Sequence, residues 1–180
     1  MTDPCCTQLD DLLRGILGYV WGTTGEEGAL VDCLSSPPCG GEFARYVSLG
    51  PPPILLGGQH VLAVYARNPA LAIEGTTSKV QLLVPRVRVN FGVELWTGCY
   101  PVPDAPDEPP SVATYDAANA LHHSQGLALY NRLVTAVAAN RAGRPDVLGL
   151  CTNLTFAGLE LVGPNGPTVG WRVSGAALLL

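Results

Sequence analysis

Cys99, His122, His123 and Asp116 are the residue types that nucleophilic catalysis requires: a thiol, an imidazole base and a carboxylate to orient it. Nothing in their spacing brings them together. A metal site on a helix needs histidines at i and i+4, whereas His122 and His123 are adjacent and point about 100° apart around the axis. They read as exposed or interface histidines. The six cysteines, Cys5, Cys6, Cys33, Cys39, Cys99 and Cys151, contain no repeated C-x2-C pair of the kind that holds zinc. They read as buried or half-buried thiols, with a disulfide between the N-terminal and Cys33/Cys39 regions as the alternative. No phosphate-binding glycine loop is present, and the acidic pairs Asp10-Asp11, Glu26-Glu27 and Asp107-Glu108 fall at helix starts or in loops. No catalytic, cofactor or metal residue is therefore assigned, and the chain is not expected to be an enzyme.

The composition fits a protein that works through contacts. The chain has 180 residues, a one-domain length, with 47% hydrophobic but only 14% charged residues against about 25% in an ordinary globular domain. That hydrophobicity excludes a disordered chain. Nine arginines stand against the single Lys79, and the net charge is −5, which argues against a nonspecific grip on nucleic acid. No basic, apolar leader and no run of 18 apolar residues is seen, so synthesis in a cytoplasm and no membrane span are expected.

The elements follow from periodicity. Leu9, Leu12, Leu13, Ile16, Leu17 and Val20 form one helical stripe, with Thr7 and Asp10 as the capping pair and an end near Trp21-Gly22. Gly15 and Gly18 weaken that helix or admit a close neighbour. Strand-like segments follow at 42–49 and 59–67, separated by the breaker Gly50-Pro51-Pro52-Pro53. Arg86 to Trp96 alternates strictly: Val87, Val89, Phe91, Val93 and Leu95 on a dry face, and Arg86, Arg88, Asn90, Gly92 and Glu94 on a polar one that is solvated or meets another polar surface. An acidic, proline-rich loop leads to a long helix from about Ser111 to Arg141, whose weak joint is Gly126. Two last strands flank the turn cluster Gly163-Pro164-Asn165-Gly166-Pro167. This order predicts an α+β fold: one domain over 1–180 with loops at 22–41 and 99–110, and a mixed or antiparallel sheet covered on one face by a long and a short N-terminal helix.

In this order the chain resembles the tail terminator proteins of long-tailed bacteriophages of the siphophage type, in particular those infecting actinobacteria. The resemblance rests on the helix Leu9–Val20, the strand Arg86–Trp96 running into Cys99-Tyr100-Pro101-Val102-Pro103-Asp104, the Pro109-Pro110-Ser111 helix entry, and the hairpin Gly163 to Val173. The segments 23–41 and 50–58 have no counterpart in it. The resemblance implies a homohexameric ring in the virion neck that caps the tail tube and gives the head its docking surface. Its partners would be further copies of itself, the tail tube protein and neck proteins, with DNA passing through the lumen without specific binding. Another head-tail connector, such as a head-completion or stopper protein, is the alternative; a small cysteine hydrolase is the second.

Ring subunits present two different faces to their neighbours, and interface cores are poor in charge and rich in aromatics and arginine. Candidate interface residues are accordingly Arg86, Arg88 and Glu94 on the polar strand face, the acidic loop residues Asp104, Asp107 and Glu108 as their complement, and Trp171.

Overall fold

Helix α1 (Pro4–Trp21) places Pro4 at its first position, where a missing N–H costs nothing, so Thr7 lies inside the helix instead of capping it. Leu12, Leu13, Ile16 and Val20 are buried on one stripe, as the spacing requires. Burial of that kind stabilises by roughly 1.5–3 kcal/mol per side chain. Among the described residues, an added Cβ on Gly18 meets nothing within 4 Å, so none of their elements approaches the helix there. The computed structural model describes residues 4–34, 41–51, 60–67, 72–74, 86–103, 108–143 and 149–179. Asp104 and Asp107 lie outside them, as does the side chain of Arg86.

Within the expected loop at 22–41 a short helix, α2 (Leu30–Leu34), buries Leu30 and Leu34. The strands are β1 (Phe43–Ser48), β2 (His60–Ala66), β3 (Ala72–Glu74), β4 (Arg86–Gly98), β5 (Cys151–Asn165) and β6 (Thr168–Leu179). Helix α3 (Val112–Arg141) lies between β4 and β5, with Ser111 as N-cap accepting a hydrogen bond from the Thr114 N–H. The six strands make one mixed sheet in the order β1-β2-β4-β6-β5, and β3 pairs with β4 beyond the end of β2. Only β1 and β2 run parallel; the other pairs are antiparallel. The fold is α+β, as the element order predicts.

Helices α1 and α3 cover one face of the sheet. Leu62, Phe91 and Leu95 pack there with Leu129 and Leu133 of α3 and Leu154 of β5. The opposite face departs from the expectation of a solvated surface. Residues 91 to 98 of β4 are all buried, and Val61, Ala63 and Trp96 form a second apolar cluster with Tyr46 and Val162. The period of two locates the faces but not what lies upon each of them.

Strand β5 is an edge of the sheet and is bulged three times. Each register shift, at Thr152/Thr155, Ala157/Leu159 and Val162/Asn165, coincides with a residue of positive φ: Asn153, Gly158 and Gly163. Bulges of this kind bend a strand and break the continuous ladder that an exposed edge otherwise offers to indiscriminate pairing.

Candidate functional surface and the polar clusters behind it

Glu94 is 1% exposed and anchors a buried polar cluster. Its Oε1 accepts hydrogen bonds from the Tyr65 hydroxyl (2.7 Å) and Arg172 Nε (2.6 Å), and its Oε2 from Trp96 Nε1 (2.7 Å). The register puts the donors there: Glu94 lies beside Ala63 on one strand and Arg172 on the other, with Tyr65 and Trp96 one step to either side. Gly92 and Gly170 leave the space into which the Tyr65 and Trp96 rings settle, since a Cβ at either would fall within 2.6 Å of them. Burial, together with the Glu94 carboxylate, pushes the Tyr65 hydroxyl pKa up to about 12. Glu94 is thus satisfied within its own subunit, which corrects its assignment to a solvated interface face.

Trp171 is likewise engaged internally. Its Nε1 donates to the His122 carbonyl (2.7 Å), and its ring lies against Gly126 so closely that a Cβ there would sit 2.3 Å from Cε2. The weak joint of α3 is therefore the seat of the tryptophan. Gly126→Ala is expected to lower stability by about 1–3 kcal/mol through overpacking, although alanine gains about 1 kcal/mol in helix propensity. Chemical denaturation decides the sign.

His122 is buried, which corrects the reading of an exposed or interface residue; His123 is exposed. The His122 Nδ1 lies 2.9 Å from Thr97 Oγ1, while Nε2 is buried with no hydrogen-bond partner among the described residues. Burial lowers the His122 pKa, with the Gln125 side chain opposing. Because the folded value lies below the unfolded one, the unfolded chain takes up the proton first as pH falls. Stability is therefore complete above about pH 6.5 and declines below it. A thermal scan at pH 7.5 and pH 5.0 should show a drop that shrinks in His122→Gln.

Arg132, 5% exposed, closes the helical side. Its Nε donates to the Tyr19 carbonyl at the end of α1 (2.8 Å), and its terminal nitrogens reach the Glu27 carbonyl and the Glu26 carboxylate. The guanidinium also stacks over the Tyr19 ring at 4.2 Å. The hydrogen bond from Arg132, seconded by the Thr23 N–H, holds the Glu26 carboxyl below its ordinary range.

Cys99 is disulfide-bonded, so a nucleophilic thiolate there would first require reduction. Cys33 is a free, exposed thiol; Cys151 is buried, and burial pushes its thiol pKa up to about 11. Among the described residues no group of three His, Cys, Asp or Glu could hold a metal ion, and no helix is long and apolar enough to cross a membrane.

The described surface is apolar where it is unusual. Leu127, Tyr130 and Val134 of α3 are each about half exposed, at 51%, 49% and 48%, and follow one helical stripe. Beside them a groove of about 330 Å³ opens between α3 and β5/β6, lined by Tyr130, Val134, Val137, Phe156 and Val173 with Arg141 at its rim. Leu49, just past β1, is 81% exposed. Arg88 is exposed near the start of β4, whereas the 99–110 segment with the exposed Glu108 leaves the other end of that strand. Tyr130 was missed in the sequence because a half-exposed apolar residue on a helical stripe reads as core, and Leu49 because it closes a strand-like segment. No protein-family model matches the chain, and no curated protein matches it.

Proposed function

We propose that this chain is a structural subunit of a phage virion, a tail terminator that assembles into a homo-oligomeric ring, caps the tail tube and offers the docking surface for the head. The observation that carries the assembly part of this reading is the uncovered stripe Leu127–Tyr130–Val134 with the groove beside it. Contiguous exposed apolar surface on a folded domain marks an interaction site. The scarcity of charge supports the same reading, since a subunit covered by neighbours needs less water-facing surface. The buried charged side chains Glu94 and Arg132 are each held in an ion pair within the subunit. The assignment to the tail rests on the resemblance of element order.

Native mass spectrometry of the purified chain, followed by negative-stain images, should show a closed ring, a hexamer by the resemblance. A monomer at tens of micromolar would overturn the reading. Copurification separates the tail terminator from a head-completion protein: the first stays with isolated tails, the second with filled heads. Charge reversal at Arg88 should weaken the ring if the basic strand face meets the acidic loop of a neighbour, and unchanged assembly removes that pairing.

A further inference from the structure

We propose that the disulfide at Cys99 is a thiol-exchange site, opened by a small thiol, in which Cys99 is the sulfur that leaves and His60 holds the thiolate. This stands apart from the ring reading and does not depend on it. The sequence offered His122 and His123 as imidazoles for Cys99; the imidazole at its sulfur is His60, 39 positions away.

Strand register brings the two together. Val61 pairs with Trp96, so the start of β2 at His60 and the end of β4 at Gly98 lie at the same end of the sheet. The Gly98 N–H donates to His60 Nδ1 (3.3 Å), and an imidazole that accepts at Nδ1 carries its proton on Nε2. That nitrogen lies 4.0 Å from Cys99 Sγ, within reach of a sulfur acceptor. The ring is fixed in this pose. Phe43 packs on it with centroids 5.0 Å apart, and Gly41 runs so close that an added Cβ would lie 3.5 Å from Cδ2. His60 is also 1% exposed, so bulk water does not compete for its proton.

Exchange balances in two steps. A thiolate attacks the sulfur bonded to Cys99; a mixed disulfide forms, the original S–S bond breaks, and its electron pair stays on Cys99 Sγ. A second thiolate then attacks the mixed disulfide, giving the oxidised small thiol and freeing the second cysteine as a thiolate. Two electrons thus pass from two thiols to the pair. A sulfur better stabilised as a thiolate leaves faster. The hydrogen bond from His60 strengthens when its acceptor becomes an anion, so it favours the departing thiolate over the bonded, neutral sulfur. Attack on Cys99 itself gains nothing from that donor, because the sulfur there stays neutral. Expulsion of Cys99 is the route that the described residues assist.

The test exposes the oxidised protein to millimolar reduced glutathione at neutral pH, traps thiols with iodoacetamide at intervals, and maps the products by peptide mass spectrometry. Early products should carry glutathione on the second cysteine and the alkyl label on Cys99. In urea, where His60 is no longer placed beside Cys99, that preference should disappear. His60→Phe keeps a ring against Phe43 and removes the donor; folded by circular dichroism, it should open about three-fold more slowly, and His60→Gln, which restores an N–H, should recover part of the rate. A pair that stays closed in glutathione overturns the site. Early glutathione on Cys99 overturns the leaving sulfur, and a preference that persists unchanged in urea overturns the part given to His60.

Discussion

Glu94→Ala is expected to destabilise the subunit by about 3–5 kcal/mol, the cost of removing one partner from a buried ion pair. The loss comes from what remains behind. Tyr65 and Trp96 keep donors aimed at an empty site, and Arg172, about one-third exposed, must turn to solvent. For a chain of this length a loss of that size lowers Tm by roughly 10 °C or more. Glu94→Gln keeps an acceptor for the Tyr65 hydroxyl and gives up the charge opposite Arg172, so it should lie between wild type and alanine. A differential scan of the three proteins checks the order. A Glu94→Ala loss below about 1 kcal/mol would show that the sheet face does not depend on this cluster.

Arg132→Ala is the second large effect, about 1.5–3 kcal/mol, through the loss of hydrogen bonds from a charged donor. One guanidinium serves the Tyr19 carbonyl at the C-terminus of α1, the Glu27 carbonyl and the Glu26 carboxylate, and it fills the space over the Tyr19 ring. Removing it takes a donor from the Tyr19 and Glu27 carbonyls and opens a gap between α1, the 22–29 turn and α3. Lysine restores charge but not a planar fork with several donors, so Arg132→Lys should recover only part of the loss. Hydrogen exchange distinguishes this variant from Glu94→Ala: protection should fall first in α1 and α2 for Arg132, and in β2 and β4 for Glu94.

Both residues show how far the sequence could be read. The alternation from Val87 to Leu95 placed Glu94 opposite the helix-side core, and that placement holds. It did not foretell that Trp96 and Tyr65, separated from Glu94 by 2 and 29 positions, would fold over it. Arg132 stood on a helix whose length was legible, yet its partners lie 105 to 113 positions away and leave no local pattern. The hairpin was legible because its turn residues are local; the helix α2 and strand β3 were not, being too short to show a period.

The α+β class, the long helix, the central strand and its two faces were legible along the chain, because helical and strand periodicities are local consequences of backbone geometry and apolar burial. The composition also showed a chain with too little charge for a fully wetted surface. Where that deficit lies follows from the packing of the elements. Trp171 and Glu94, candidates for an interface, are engaged inside the subunit, while Leu49, Tyr130 and Val134 remain uncovered at opposite edges of one sheet. Whether an apolar residue is core or contact depends on which elements pack over it, and that is settled by strand order and register across the sheet, not by neighbours along the chain.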